Sequence, residues 1–145
     1  MESEGLILEQ VTKDNLSHVW VQVRPLMNKV LIRANGELNS EDIRRAALEG
    51  KVQLFVAHDK ETVHMAMATE YVTYPRFTSL RVIALGGKTA GALRGCVRDF
   101  WPKIIEWAQA QGVTKIEASC HPSMVRLLTR YGFYPKYTTV FLDVE

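Results

Sequence analysis

The chain has 145 residues, 47% hydrophobic and 23% charged, and its 18 Lys+Arg against 16 Asp+Glu leave a formal charge of +2. One domain over residues 1–145 accounts for that length, and the composition excludes a disordered, collagen-like or coiled-coil chain. Scattered, nearly balanced charge gives no electrostatic reason to expect nucleic acid or a membrane surface as partner.

Two cysteines, Cys96 and Cys120, stand outside any Cys-x-x-Cys doublet, so reduced thiols and no metal site are expected. Met1 to Gly5 carries Glu2 and Glu4 with no apolar run behind it, and no apolar stretch approaches the roughly 20 residues of a bilayer span. The expectation is a soluble cytoplasmic protein.

Leu6 to Leu8 predicts an opening strand. Asp14 or Asn15 then stands at a helix N-cap, and Leu16, Val19, Trp20, Val23, Met27, Val30 and Leu31 keep helical spacing until Asn35-Gly36, with Pro25 expected to kink or split the helix. Ser40 caps a short second helix that Gly50 stops. From Lys51 the period changes to two: Val52, Leu54 and Val56, a turn at residues 58–61, then Val63, Met65 and Met67 predict an antiparallel hairpin, with His64 on its exposed side. Tyr74-Pro75 breaks the pattern, and Ser79 to Leu85 reads as a more continuously apolar strand ending at Gly86-Gly87.

A helix follows through Phe100, Trp101, Ile104, Ile105 and Ala108 to Gly112; Pro102 implies that its regular hydrogen bonding begins near Asp99 or that it kinks. Lys115 to Ser119 predicts a strand, Pro122 opens a last helix, His121 is placed to cap it, and Gly132 ends it before a final strand, Thr138 to Val144. The order calls for an α/β (α+β) fold: a mixed, mostly antiparallel sheet of about six to seven strands flanked by about four helices.

This order, together with Trp107 to Glu117 and Arg126-Leu127-Leu128-Thr129-Arg130-Tyr131-Gly132-Phe133, is similar to the GNAT acyltransferase superfamily, whose last helix ends x-L-Y-x-x-x-G-F. A closer likeness, in residues 41–50, Tyr74-Pro75, Gly86-Gly87 and the Pro opening the last helix, is to small GNAT-like proteins encoded by tailed bacteriophages and prophages. The resemblance implies a sheet that splays between its fourth and fifth strands, with acetyl-CoA lying in the gap. It implies backbone contacts to the cofactor from Ile83, Ala84 and Leu85, and an unidentified amine as acceptor. The phage likeness implies a viral gene product in a bacterial host's cytoplasm or in the virion, with phage structural proteins as partners.

The superfamily's pyrophosphate signature, Q/R-x-x-G-x-G/A, falls on Ala92 to Val97 when counted back from Gly112: Gly95 matches beside Arg94, while Ala92 and Val97 depart from it. A β-branched Val97 adds bulk where backbone should approach a phosphate. A second register uses Gly86-Gly87-Lys88 as a looser cradle, against which stands a plain strand-end turn.

Acyl transfer to an amine needs a base for the ammonium and an acid for the leaving thiolate. Glu70 is the candidate base, with a solvent-facing strand residue as its alternative. Leu128 occupies the superfamily's tyrosine position, which leaves Tyr131 as candidate acid or as core. Two functions therefore stand: an acetyl-CoA-dependent N-acetyltransferase, or a GNAT-fold phage protein that has lost chemistry and serves structure, assembly or binding.

Overall fold

The computed structural model describes residues 5–145, so the reading of Met1 to Glu4 lies outside it. Its elements are β1 (Ile7–Gln10), α1 (Lys13–Leu31), α2 (Ser40–Leu48), β2 (Gln53–His58), β3 (Val63–Thr73), β4 (Thr78–Gly87), α3 (Ala90–Ala110), β5 (Lys115–Ala118) and α4 (Pro122–Thr129). The five strands lie in chain order, with β1 to β4 antiparallel and β4–β5 parallel. A parallel neighbour needs a crossover, and α3 supplies it.

Leu54 and Val56 pack with Ala66, Ala68 and Ala84 against α1 and α2, through Leu16, Val23, Met27 and Ile43. The alternate set, Phe55, Ala57, Met65, Met67 and Val82, packs against Phe100, Trp101 and Ile104 of α3. Helices on both faces explain why β2 and β3 are apolar at successive positions rather than at every second one. Each fully buried large side chain among them, such as Phe100, Met27 or Leu80, contributes about 1.5–3 kcal/mol.

Several boundaries differ from the sequence expectation. The first strand is Ile7–Gln10, beginning one residue and ending two residues later than expected, because its register is set by pairing with β2. Thr12, not Asp14 or Asn15, caps α1, its hydroxyl accepting from Asn15 N at 3.3 Å. Asn39, not Ser40, caps α2 in a reciprocal box: Asn39 Oδ1 accepts from Asp42 N at 2.9 Å and Asp42 Oδ2 from Asn39 N at 3.0 Å.

Neither proline ends its helix. Both Pro25 and Pro102 lie on exposed faces of continuous helices, where a carbonyl that loses its N–H partner costs less than it would in the core. Consequently α3 begins at Ala90 rather than near Asp99, and it closes where Gly112 adopts φ +80°. Among the described residues the sheet has five strands, not six or seven, and Thr138 to Val144 is not a strand, because no described segment pairs with it.

Candidate functional site

The β4–β5 ladder covers only Ser79↔Lys115 through Val82↔Ala118. Beyond it, residues 83–87 continue along β3 on one side and, among the described residues, have no strand on the other. Thr69 pairs with Val82 and Ala68 with Ala84, which leaves Ile83 as the extra residue of a β-bulge. A bulge bends its strand and re-aims its backbone, and this one sits where the strands part. Ile83, Ala84 and Leu85 thus lie together on the open edge.

At the end of that edge, Gly86 and Gly87 are both buried, and each is needed for close packing. A Cβ on Gly86 would lie 2.5 Å from the Leu26 carbonyl oxygen of α1, and one on Gly87 would lie 2.6 Å from Leu93 Cβ of α3. The two glycines let a helix settle against each face of β4. Lys88 N donates to the His64 carbonyl (2.9 Å), which extends the ladder to the first residue after the strand.

Thr89 then caps α3 by accepting from Ala92 N at 3.0 Å. Among the described residues no acceptor meets the N–H groups of Ala90 and Gly91, two donors at the positive end of a 21-residue helix. Lys88 and Arg94 are exposed beside them. Lys29, on α1, reaches the same turn and donates to the carbonyls of Gly87 (2.9 Å) and Lys88 (3.2 Å). No local pattern marks Lys29, since its partners lie 58 and 59 residues away.

Gly95 is placed differently. It lies inside α3, past the first turn, and lines a groove of about 230 Å³ that also takes in Gly91 and Ala92 of the first turn, with Leu6, Asp59, His64 and Cys96. His64 is half-buried rather than exposed, and its Nε2 is 3.0 Å from Asp59 Oδ2. That contact and the N–H groups of Glu61 and Thr62 hold the Asp59 carboxyl far below the usual carboxylate range.

Glu70 faces the α1 side of the sheet opposite Arg81, Oε2 to Nη1 at 3.6 Å; Arg81 also reaches Glu117 Oε2 at 3.6 Å. The Tyr74 hydroxyl donates to Glu117 Oε1 at 2.8 Å. Partial burial pushes the Glu117 carboxyl upward, but Tyr74, Ser79 and Arg81 outweigh that and hold it below the ordinary value. Glu70 is therefore a member of a three-strand polar cluster at the parting of β4 and β5, not a lone strand carboxylate.

Tyr131 lies just past α4, half-buried in the α3-side cluster, with Phe133 against Trp101 at 5.4 Å between ring centroids. Leu128 is buried. Beneath α3 the space bounded by Met67, Leu85, Val97 and Trp101 amounts to about 10 Å³, no more than a water needs. His121 does cap α4, its Nδ1 accepting from Ser123 N at 3.2 Å.

No family model matches the sequence, and a search of curated proteins finds no relative. Solved structures do match. An aminoglycoside acetyltransferase from an uncultured soil metagenomic sample, in complex with trehalose, superposes with a TM-score of 0.71 at 11% identity over 99% of both chains. Another from such a sample gives 0.72 at 13% identity over 97% of this chain and 99% of that one. A predicted acetyltransferase from Clostridium acetobutylicum, solved with acetyl-CoA, gives 0.70 at 12% over 96% of both. The parted strands, the bulge at Ile83 and these full-length superpositions together establish that the chain has the GNAT acetyltransferase fold.

Proposed function

We propose that the chain is an N-acetyltransferase that transfers an acetyl group from acetyl-CoA to an amine. The observation that carries this reading is the unpaired edge of β4 from Ile83 to Leu85, running into an α3 N-terminus with unused N–H donors. Edge amides suit the amide groups of a pantetheine arm, and the donors of Ala90 and Gly91, with Lys88 and Arg94, suit a pyrophosphate. Lys29 steadies that turn. Gly86 and Gly87 serve by bringing both helices onto the strand end, and Gly95 borders the helix's second turn.

Glu70 lies beside Arg81 at the end of the β4–β5 ladder, and Tyr131 packs in the α3-side cluster on the other face of the sheet. In this reading Glu70 takes a proton from the acceptor ammonium, the amine attacks the thioester carbonyl, the C–S bond breaks as Tyr131 gives its proton to the leaving thiolate, and the second proton shed by the new amide nitrogen restores the tyrosine through solvent. Acetyl-CoA supplies the activated acyl group. Two carboxylates, Glu70 and Glu117, share the single guanidinium of Arg81, and the surplus negative charge suits a cationic acceptor; an aminoglycoside is a fitting first trial because such acetyltransferases share the fold.

Calorimetry with acetyl-CoA tests the binding step, and release of the CoA thiol with an aminoglycoside or polyamine tests the transfer. Saturation at about 100 times Kd should stabilise the fold by about 2.7 kcal/mol. Glu70→Gln and Tyr131→Phe should each lower kcat by on the order of 10²–10⁴-fold without loss of acetyl-CoA binding. No heat and no melting shift with the cofactor would defeat the proposal. The second reading, a binding or assembly role, would then stand on Leu128 and the closed space beneath α3. The likeness of residues 41–50 to phage-encoded relatives supports a phage origin and a bacterial cytoplasm as the site of action, which mass spectrometry of infected cells and purified virions would test.

A further inference from the structure

The turn between β4 and α3 is held by a residue from a distant part of the chain. Lys29 stands in the last turn of α1, where a cation complements the negative end of the helix dipole. Its ammonium reaches beyond that helix and donates to the carbonyls of Gly87 at 2.9 Å and Lys88 at 3.2 Å. The reach follows from the packing at Gly86: Leu26 and Val30, one helical turn apart, stand against that bare Cα, and Lys29 comes between them in sequence.

Those bonds orient whole peptide groups. A trans peptide carries its C=O and N–H on opposite edges, and among the described residues no peptide bond is cis. The Gly87–Lys88 peptide is held at both edges, its carbonyl by Lys29 and its N–H by the His64 carbonyl of β3 at 2.9 Å. The Lys88–Thr89 peptide is held at one edge only. Lys29 takes its carbonyl, which turns the Thr89 N–H away from α1, and among the described residues that N–H meets no acceptor. Ala90 and Gly91 follow it with N–H groups in the same condition.

We propose that Lys29 is a positioning residue for the diphosphate of acetyl-CoA: clamping the Lys88–Thr89 peptide from α1 sets the Thr89 N–H beside those of Ala90 and Gly91, as a cradle of three donors. The inference rests on the acetyl-CoA reading above and extends the cofactor site to a helix on the other face of the sheet. The ammonium touches no substrate atom. It acts through the peptide, fixing its direction and, by polarising the carbonyl, strengthening the N–H of the same amide as a donor. A lysine that only tied α1 to the turn would change the melting temperature and not the set of amides that a diphosphate engages.

Calorimetry and amide NMR on the full chain test this, with inorganic pyrophosphate and acetyl-CoA as separate probes. In the wild type, pyrophosphate should move the amide resonances of Thr89, Ala90 and Gly91 together. Lys29→Met, which keeps the apolar stem and removes the donors, should weaken both probes by on the order of 10–100-fold and abolish the response of Thr89, and Lys29→Arg should recover most of both. Lys29→Ala takes the place of the methionine variant if that one does not fold. A methionine variant that binds both probes as the wild type does, a Thr89 amide silent in the wild type, or an arginine variant no better than methionine overturns the role of Lys29. The reading beneath it fails separately: a wild type in which pyrophosphate moves all three amides but no acetyl group is transferred overturns the acetyltransferase and leaves Lys29 as the organiser of a diphosphate site, whereas one that binds neither probe overturns both.

Discussion

Gly86→Ala puts a methyl group where α1 already stands. The new Cβ would lie 2.5 Å from the Leu26 carbonyl oxygen and 3.1 Å from Val30 Cγ2. Even an attractive C–H···O contact keeps about 3.3–3.6 Å between carbon and oxygen, so helix and strand must separate by roughly 0.8 Å. The obstacle is helix backbone, which cannot rotate aside, and the cost expected of such overpacking is about 1–3 kcal/mol. For a chain of this length that is a fall in Tm of roughly 4–12 °C. Calorimetry or thermal circular dichroism reads it directly, with Gly91→Ala as control, because a Cβ there meets only Thr89 Oγ1 at 3.9 Å. If Gly86→Ala melts with the wild type, or if Gly91→Ala falls as far, close packing is not the reason for a glycine at position 86. Loss of acetyl-CoA binding at unchanged Tm would return that residue to direct ligand contact.

Gly95 sits mid-helix with a near-normal environment, its nearest contact for a Cβ being Arg98 Nη2 at 3.9 Å, so Gly95→Ala should raise stability by about 0.5–1 kcal/mol; a lower Tm would refute this. Asn39→Ala removes the side-chain half of the α2 capping box, the Asn39 Oδ1 acceptor, while the backbone N–H of residue 39 still donates to Asp42, and it should cost about 0.5–2 kcal/mol by urea unfolding, whereas Ser40→Ala should cost less. The depressed Asp59 carboxyl contributes stability that is complete above the unfolded value near 3.9 and is lost as pH falls toward the folded one. The Tm difference between wild type and Asp59→Asn should therefore be greatest above about pH 4 and shrink on acidification; a constant difference would refute the role of that charge.

Much of the fold was legible because the decisive signals are local. The period-two run from Val52 to Met67, the Tyr74-Pro75 break, Pro122 at the start of α4 and Gly112 at the end of α3 each act through their own backbone. Proline position was less informative, since a proline stops a helix only where its lost hydrogen bond cannot be replaced, and Pro25 and Pro102 face water. For the candidate site, the open edge at Ile83 to Leu85 was foreseeable from resemblance alone. Lys29 was not, because its role arises from the docking of α1 on Gly86, a contact between distant segments. Nor could residues 138–144 be resolved by periodicity: a strand pattern states what a segment can pair as, while the partner decides whether it does.

The chain-order arrangement of the sheet bears on how the molecule comes together. Only four-residue connections separate β2 from β3 and β3 from β4, so this meander closes with little loop entropy, while β5 must wait for the whole of α3. One bank of the β4–β5 gap thus belongs to the part of the protein that assembles early and the other to a late and short addition. Amides of Lys115–Ala118 should accordingly exchange with solvent ahead of those in β2 to β4. The cleft can breathe by loosening its later bank while the earlier one stays folded.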